Sequence, residues 1–192
     1  LLEAKANKLA EDNGIKQHYP FKTLFYKYYE EVGKKLRGSI YVKEQLKPFE
    51  EKFGALAEMS IHDITPKHLT AWRNKRAKEV GANTLLREMA LYSSVFSYAV
   101  KELFLLDVNP WTNVKKPVKP KARHRRIRDN EIQLILESLN YSEGQTPTLP
   151  EHYVAWAFLF ALETAMRRGE ILGIQMTDIF DRHVHLPKTK NG

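Results

Sequence analysis

A basic segment interrupted by two prolines lies past the middle of this chain and limits the folds that are open to it. Residues 115–128 read KKPVKPKARHRRIR and hold eight lysines and arginines but no acid. Pro117 and Pro120 exclude a continuous helix here and favour an extended backbone. The basic segment therefore predicts a linker that divides the chain into two parts.

Net charge is concentrated in this basic segment. The chain has 31 lysines and arginines against 23 acids, a net charge of +8, and 23 of the basic residues lie outside the segment. A neutral body with one positive stretch indicates a polyanionic partner whose phosphates the segment clamps, and a solvated interdomain linker is the alternative interpretation. The predicted DNA contacts in the segment are Lys115, Lys116, Lys119, Lys121, Arg123, Arg125, Arg126 and Arg128.

Composition excludes several classes of protein and site. The chain has no cysteine, which rules out disulfides, thiolate catalysis and cysteine-ligated zinc. No apolar run approaches the ~20 residues that a membrane span needs, so we expect a protein without membrane association. His183, His185 and Asp181 share one face of a predicted strand. We interpret that face as exposed and polar rather than as a divalent-ion site, and we predict no metal and no cofactor.

Apolar periodicity before the basic segment predicts a bundle of about four helices over residues 21–108. The second helix is predicted over 39–53, with Ile40 facing inward and Pro48 kinking or dividing it. Thr65 and Pro66 are a typical N-cap and first helical residue. The fourth helix is predicted to begin at Asn83 or Thr84. Its apolar stripe consists of Leu85, Met89, Tyr92, Phe96, Ala99 and Leu103.

Five polar side chains on the third and fourth helices are further candidates for contact with a DNA backbone or groove. Each of them is expected on an outward face, and an ordinary charged surface is the alternative for any single one. These candidates are Lys67, Arg73, Arg76, Thr84 and Arg87.

The part after the basic segment is predicted to begin with helices and to end in a β-hairpin strand. A capped helix begins near Asp129, a largely apolar helix covers about 151–164, and a strand covers 179–186. Asn191-Gly192 is a hairpin-turn pattern, so we expect the natural protein to continue beyond it. The predicted fold class is mainly α: a four-helix bundle over residues 1–114, a linker over 115–127 and a truncated α+β domain over 128–192.

Two arginines follow the apolar helix at Arg167 and Arg168. An arginine at this junction needs an anionic partner. Glu170, three residues on, is one candidate for Arg167, and a ligand phosphate gripped by the guanidinium is the other. The residues alone leave both open.

Several blocks of the sequence, in the same order, resemble the tyrosine recombinases of the phage-integrase type. The resemblance covers roughly residues 20–192, and the family's usual glycine and aromatic are replaced by Ala165 and Met176. The matching residues of the first catalytic block are Thr164, Met166, Arg167, Glu170, Ile171, Ile174, Asp178 and Ile179. The other matches are Thr189-Lys190-Asn191-Gly192 near the end and Asn83–Glu88, Phe96, Ala99 and Asn109-Pro110 upstream.

The resemblance implies a core-binding domain, a linker and the first part of a catalytic domain, and it implies roles for three residues. Arg167 would grip the scissile phosphate and stabilise its transition state, and Glu170 would support Arg167. Lys190 would protonate the leaving 5′-oxygen as a general acid. This chemistry needs no metal, because the arginines stabilise the charge.

The resemblance also implies what the whole protein does. It would integrate or excise a mobile element such as a phage genome through a 3′-phosphotyrosyl intermediate, as a tetramer on paired duplexes in the bacterial cytoplasm. All nine tyrosines precede Arg167, so the nucleophile would follow Gly192 and this chain alone would not cleave DNA. One alternative is a non-catalytic DNA-binding regulator or architectural protein with a degenerate recombinase remnant. Another is an interaction protein with a basic tether for RNA or acidic partners.

Overall fold

The computed structural model describes residues 17–122 and 124–186, and it divides the chain into two compact units, Leu1–Ala122 and Arg123–Gly192. The division falls inside the basic segment. The finer boundaries of the predicted linker stay a prediction. Within the described residues no helix is long and apolar enough to cross a membrane.

The first unit contains six α-helices among its described residues. They are α1 (Phe21–Glu31), α2 (Ser39–Leu46), α3 (Phe49–Phe53), α4 (Ala55–Glu58), α5 (Pro66–Arg76) and α6 (Ala82–Lys101). Short 3₁₀ turns lie between α1 and α2 at Gly33–Lys35 and after α6 at Pro110–Asn113. The second unit contains α7 (Asp129–Ser138), α8 (Pro150–Thr164), α9 (Arg168–Ile171) and a 3₁₀ turn at Met176–Asp178.

The prediction that Pro48 kinks or divides the second helix is confirmed, whereas the count of four helices is not, because α4 adds a further short helix. Pro48 separates α2 from α3, and Gly54 ends α3 with a φ of +54°, a conformation that glycine adopts without steric cost. The prediction that Ile40 faces inward is wrong. Its side chain is 78% exposed, because α2 turns Val42 toward the core instead.

Local sequence patterns did predict α5 and α6. The Thr65 hydroxyl accepts a hydrogen bond from the His68 backbone N–H at 3.4 Å, with Pro66 as the first helical residue. The predicted stripe of α6 lies in the core from Leu85 to Ala99, and Leu103 packs partly buried against it. The cap confirms the predicted start of α5, and the buried stripe of α6 confirms helical periodicity as a guide to the core of this unit.

Aromatic rings fill the core of the first unit, and Tyr92 lies at their centre. Its ring packs edge-on against Phe53 at a centroid distance of 4.7 Å and against Trp72 at 5.8 Å. Phe53 and Trp72 stack in parallel at 4.7 Å. The indole N–H of Trp72 donates to the Lys52 carbonyl at 3.0 Å, which links α3 to α5. These contacts explain why helices as short as α3 hold their place.

The Tyr92 hydroxyl is fully buried and has no hydrogen-bond partner among the described residues. Burial raises the pKa of this phenol well above its ordinary value. Because an unmade buried hydrogen bond costs free energy, Tyr92→Phe is expected to leave the free energy of unfolding unchanged or to raise it by about 1 kcal/mol in urea titrations. The matched control is Tyr98→Phe, which removes a hydroxyl bonded to Glu31 and is expected to destabilise. Destabilisation by Tyr92→Phe would contradict the prediction.

The second unit has a much smaller core among its described residues. The buried residues are Leu136 of α7, Ala155 of α8 and Tyr141 in the connection between these two helices. Phe158 and Leu159 of α8 pack against them. Helix α8 leaves Tyr153 and Val154 each 59% exposed. The apolar character of α8 that the sequence showed is therefore only partly buried within the described residues.

The predicted strand over residues 179–186 is wrong. Phe180 N–H donates to the His183 carbonyl at 2.9 Å, and Ile179 pairs with Val184 in a single antiparallel bridge. The chain therefore reverses at 180–183, and no strand forms within the described residues. Asp181 lies at this reversal and is a residue type that favours turns, but the alternating apolar pattern around it indicated a strand instead. The expected hairpin turn at Asn191-Gly192 lies outside the described residues.

Candidate functional site

Arg167 lies in a tight turn between α8 and α9. The helix α8 ends at Thr164, and Ala165 adopts a φ of +53°, the left-handed conformation that often ends a helix. Glycine takes this conformation more readily than alanine, which gives a physical reason for the family's usual glycine at this position. Arg167 is then the residue immediately before α9.

Glu170 binds Arg167 at two points. One carboxylate oxygen accepts a hydrogen bond from the Arg167 backbone N–H at 2.8 Å, and the other accepts from Nη1 of its guanidinium at 2.9 Å. The backbone contact satisfies a free amide at the start of α9. The carboxylate therefore fixes both the main chain and the side chain of Arg167, which supplies the anionic partner that the sequence left open.

The Arg167 guanidinium nevertheless remains accessible. Its side chain is 57% exposed, whereas that of Glu170 is 11% exposed. No acceptor within residues 17–122 or 124–186 contacts its Nε or Nη2. The arrangement can therefore hold the guanidinium in place and still present a fork of donors to a phosphate.

The other predicted catalytic residue, Lys190, lies outside the described residues. The described part of the chain ends at Leu186, shortly after the reversal at 180–183. There His183 stacks on the Phe180 ring at 4.7 Å, and His183 and His185 are both exposed. The Asp178 carbonyl accepts from the His185 backbone N–H at 2.8 Å.

The basic segment has no helix or strand among its described residues, as its prolines predicted. Its lysines and arginines are exposed, apart from Arg123, which lies outside the described residues. Arg125 forms an ion pair with Glu131 of α7, and the other Glu131 oxygen accepts from the Arg128 backbone N–H at 3.0 Å. The positive side chains of the segment are thus available to a polyanion, with Arg125 partly compensated.

The five candidates on α5 and α6 differ in their surroundings. Lys67, Thr84 and Arg87 are exposed, and the Arg87 guanidinium lies over the Tyr41 ring at 4.6 Å. Arg73 is half-buried and donates to Asn74 and to the Lys115 carbonyl. The prediction that Arg76 lies on an outward face is wrong, because its side chain is only 16% exposed.

Arg76 belongs to a buried ion-pair cluster around Glu88 that the sequence analysis missed. Its Nε and Nη2 donate to the two Glu88 oxygens at 2.9 and 2.8 Å, and Nη1 donates to Glu79 at 2.8 Å. Lys52 Nζ donates to Glu88 at 2.6 Å and to Gln45 at 2.6 Å. The one available sign was position, since Glu88 lies between Leu85 and Tyr92 on the apolar stripe.

The cluster sets the protonation states of its members. Burial alone would raise the pKa of Glu88, but the hydrogen bonds and positive charges of Arg76 and Lys52 outweigh it and hold that pKa below its ordinary value. The same hydrogen bond to Glu88 raises the pKa of Arg76. Glu88 and Arg76 are therefore both charged at neutral pH, and the Arg76 guanidinium is held by its partners within the protein.

Comparisons with known proteins give relatives of one kind. No family model matches the chain. It is 34% identical over 205 residues to a candidate integrase/recombinase of Haemophilus influenzae, a match that covers 100% of this chain and 55% of that protein. It is 35% identical over 147 residues to a shufflon-specific DNA recombinase of Escherichia coli, covering 71% of this chain and 36% of that protein.

The fold is similar to that of a lambda integrase dimer bound to a COC′ core site. The TM-score is 0.75 at 19% identity, and the match covers 96% of this chain and 50% of that one. The chain thus spans between about a third and just over half of these proteins. The named recombinase relatives and the matching fold agree with the Thr164-to-Ile179 block, and the chain belongs to the tyrosine recombinase family.

Proposed function

We propose that this chain is the DNA-contacting and phosphate-activating part of a site-specific DNA recombinase. The observation that carries the proposal is the Arg167 turn, where Glu170 fixes the main chain and guanidinium of an arginine that stays exposed. Such a group can stabilise the charge that develops on a phosphate when a nucleophile attacks it. The names of the curated relatives point to the same reaction.

In this proposal the two units contribute different functions. The exposed cations of the basic segment, together with Lys67, Thr84 and Arg87, contact the duplex and position it. Arg167 grips the scissile phosphate, and Lys190 donates the proton that the leaving 5′-oxygen needs. A tyrosine that follows Gly192 in the full-length protein forms the 3′-phosphotyrosyl bond, so the chain by itself binds DNA without cutting it.

The reaction of the full-length protein is the integration or excision of a mobile element. Four copies would act together on two duplexes, in the bacterial cytoplasm and on the nucleoid. The direct test incubates the full-length protein with a nicked duplex substrate that traps the covalent intermediate. A denaturation-resistant protein–DNA adduct is expected, and its absence at saturating DNA would favour the alternative of a non-catalytic DNA-binding regulator.

DNA binding by this chain is expected to depend steeply on salt. If the exposed cations of the basic segment neutralise four or five phosphates, the logarithm of the association constant falls with a slope of about −4 against log salt. Affinity then drops a few hundredfold between 50 and 200 mM salt, about the size that this relation predicts for such a slope. Fluorescence anisotropy on a labelled duplex measures both quantities.

A matched pair of variants tests whether the lysines of the basic segment cause the salt dependence of DNA binding. Replacing Lys116, Lys119 and Lys121 by glutamine is expected to bring the slope about 2.7 closer to zero, because each phosphate contact contributes about 0.9. The control variant replaces Lys35, Lys43 and Lys101 by glutamine. These three lysines are also exposed, and their replacement lowers the net charge by the same amount. Equal effects of the two triple variants would show that net charge alone governs binding and would contradict the clamp.

A further inference from the structure

Each nitrogen of the Arg73 guanidinium donates a hydrogen bond within the first unit. Its Nε and Nη2 donate to the Asn74 side-chain oxygen at 3.1 and 2.7 Å, and its Nη1 donates to the Lys115 carbonyl at 2.5 Å. Every nitrogen of the group thus has a partner in the protein. Three of its five N–H donors are used in this way, so a phosphate that bound through the same N–H groups would have to displace Asn74 or Lys115.

The Lys115 carbonyl marks the point where the basic segment leaves the helical unit. Just before it, Trp111 and Val114 are each 4% exposed, and the Trp111 ring packs edge-on against Trp72 at 5.6 Å. Asn109 ties this stretch to α6 through hydrogen bonds to the Ser93 carbonyl at 2.8 Å and the Ser97 hydroxyl at 2.9 Å. After Lys115 the chain is exposed, with Val118 at 87%.

We propose that Arg73 is a positioning residue that fixes where the basic segment departs, rather than a direct phosphate contact. The consequence for DNA binding rests on the proposed function. By holding the Lys115 carbonyl, Arg73 restricts the backbone that leads to Lys116, Lys119 and Lys121. A restricted segment loses less conformational entropy when it closes on a duplex.

The geometry also requires an arginine. A planar fork reaches Asn74 and the carbonyl at the same time, whereas a lysine ammonium is a point charge on a flexible stem. Arg73→Lys therefore keeps the charge of the side chain but loses the restraint. Asn74→Ala removes the acceptor of two of the guanidinium's hydrogen bonds without changing any charge.

Trypsin digestion of the free protein tests the restraint without DNA. Trypsin can cut after Lys115, and the carbonyl of that peptide bond is the one that accepts from Arg73. The bonds after Lys116 and Lys119 resist trypsin because proline follows each of them. The segment must detach before this bond can enter a protease, so the cleavage rate follows the opening equilibrium. Loss of a charged hydrogen bond is expected to speed cleavage after Lys115 about tenfold in Arg73→Ala and Arg73→Lys, with a smaller increase in Asn74→Ala.

Two controls separate this effect from general unfolding. Cleavage after Lys121, in the same segment but beyond the restraint, is expected to keep its rate in all variants. Lys75→Ala, which removes an exposed cation of the same helix, is expected to leave the Lys115 rate unchanged. If Arg73→Ala does not fold, Arg73→Lys and Asn74→Ala carry the same test.

DNA binding then distinguishes a positioning role from a phosphate contact. A positioning role predicts that Arg73→Lys and Arg73→Ala both lose affinity several-fold while the salt slope stays unchanged. A phosphate contact predicts that Arg73→Ala brings the slope about 0.9 closer to zero and that Arg73→Lys keeps most of the affinity. An unchanged Lys115 cleavage rate in Arg73→Ala and Arg73→Lys, or the second binding pattern, would overturn the positioning role. Absence of DNA binding by the unmodified chain would overturn the proposed function and leave the cleavage result standing.

Discussion

Alanine in place of Arg167 is expected to lower DNA strand cleavage by the full-length protein a hundredfold to a thousandfold, the range that loss of one preorganised donor to a developing charge produces. This expectation rests on the proposed role of Arg167. Glu170 holds the guanidinium before the substrate arrives, so the charge is in position when the phosphate reacts. The nicked-duplex trapping assay under single-turnover conditions measures the effect.

DNA affinity of the same variant is expected to change only a few-fold, because the basic segment supplies most of the charge. Arg168→Ala is the matched control, since it removes the same charge from the neighbouring exposed residue and is expected to keep cleavage within a few-fold. Glu170→Gln is expected to lose about tenfold in cleavage, because it keeps a hydrogen-bond acceptor but not the charge that orients Arg167. Equal losses of binding and cleavage in Arg167→Ala would show that this arginine is structural.

The helices of the first unit followed from the sequence wherever the cause was local. The stripe from Leu85 to Ala99 repeats with the period of a helix, and Thr65-Pro66 carries its own capping chemistry. Ile40 shows where this reasoning fails. The eight residues of α2 include the apolar side chains Ile40, Tyr41, Val42 and Leu46. Only packing against the rest of the unit decides that Val42 is buried and Ile40 is exposed.

In the candidate site too, the sequence predicted contacts between residues that are close in the chain and missed contacts between distant ones. Arg167 and Glu170 are three positions apart in one turn, so spacing alone made the pair a candidate. Arg73 and Lys115 are 42 residues apart in the chain, and Arg76 and Glu88 are 12 apart on different helices. No local pattern joins such pairs. For this reason Arg73 and Arg76 were predicted as exposed DNA contacts, although the fold gives both of them partners within the protein.

Removal of Glu88 is expected to be the most destabilising of the changes considered for the first unit. Its carboxylate, with 2% of the side chain exposed, neutralises Arg76 and Lys52, whose side chains are 16% and 10% exposed. Glu88→Ala leaves Lys52 without a counter-charge and Arg76 with only the more exposed Glu79, which costs about 3–5 kcal/mol in free energy of unfolding. Glu88→Gln keeps an acceptor and is expected to cost about 2 kcal/mol, the range for a hydrogen bond to a charged group.

Urea titration measures these costs, and Glu79→Gln is the matched control. Glu79 pairs with the same Arg76, but its side chain is 45% exposed, so its loss is expected to cost about 0.5 kcal/mol or less. If Glu79→Gln destabilised the protein as much as Glu88→Gln, burial would not be the reason for the strength of the cluster.

The pH dependence of the Glu88→Gln effect tests whether charge is its cause. Because Arg76 and Lys52 hold the pKa of Glu88 below its ordinary 4.5, its stabilising charge is fully present above about pH 5 and is lost as the pH falls through the lower folded-state value. Glutamine does not titrate, so the stability gap between the unmodified protein and Glu88→Gln is expected to be constant from pH 5 to 8 and to narrow below pH 4.5. A gap that stays constant down to pH 3 would mean that Glu88 acts through its shape and packing. A narrowing gap would show that the first unit is held together at neutral pH by a buried charge that acid removes.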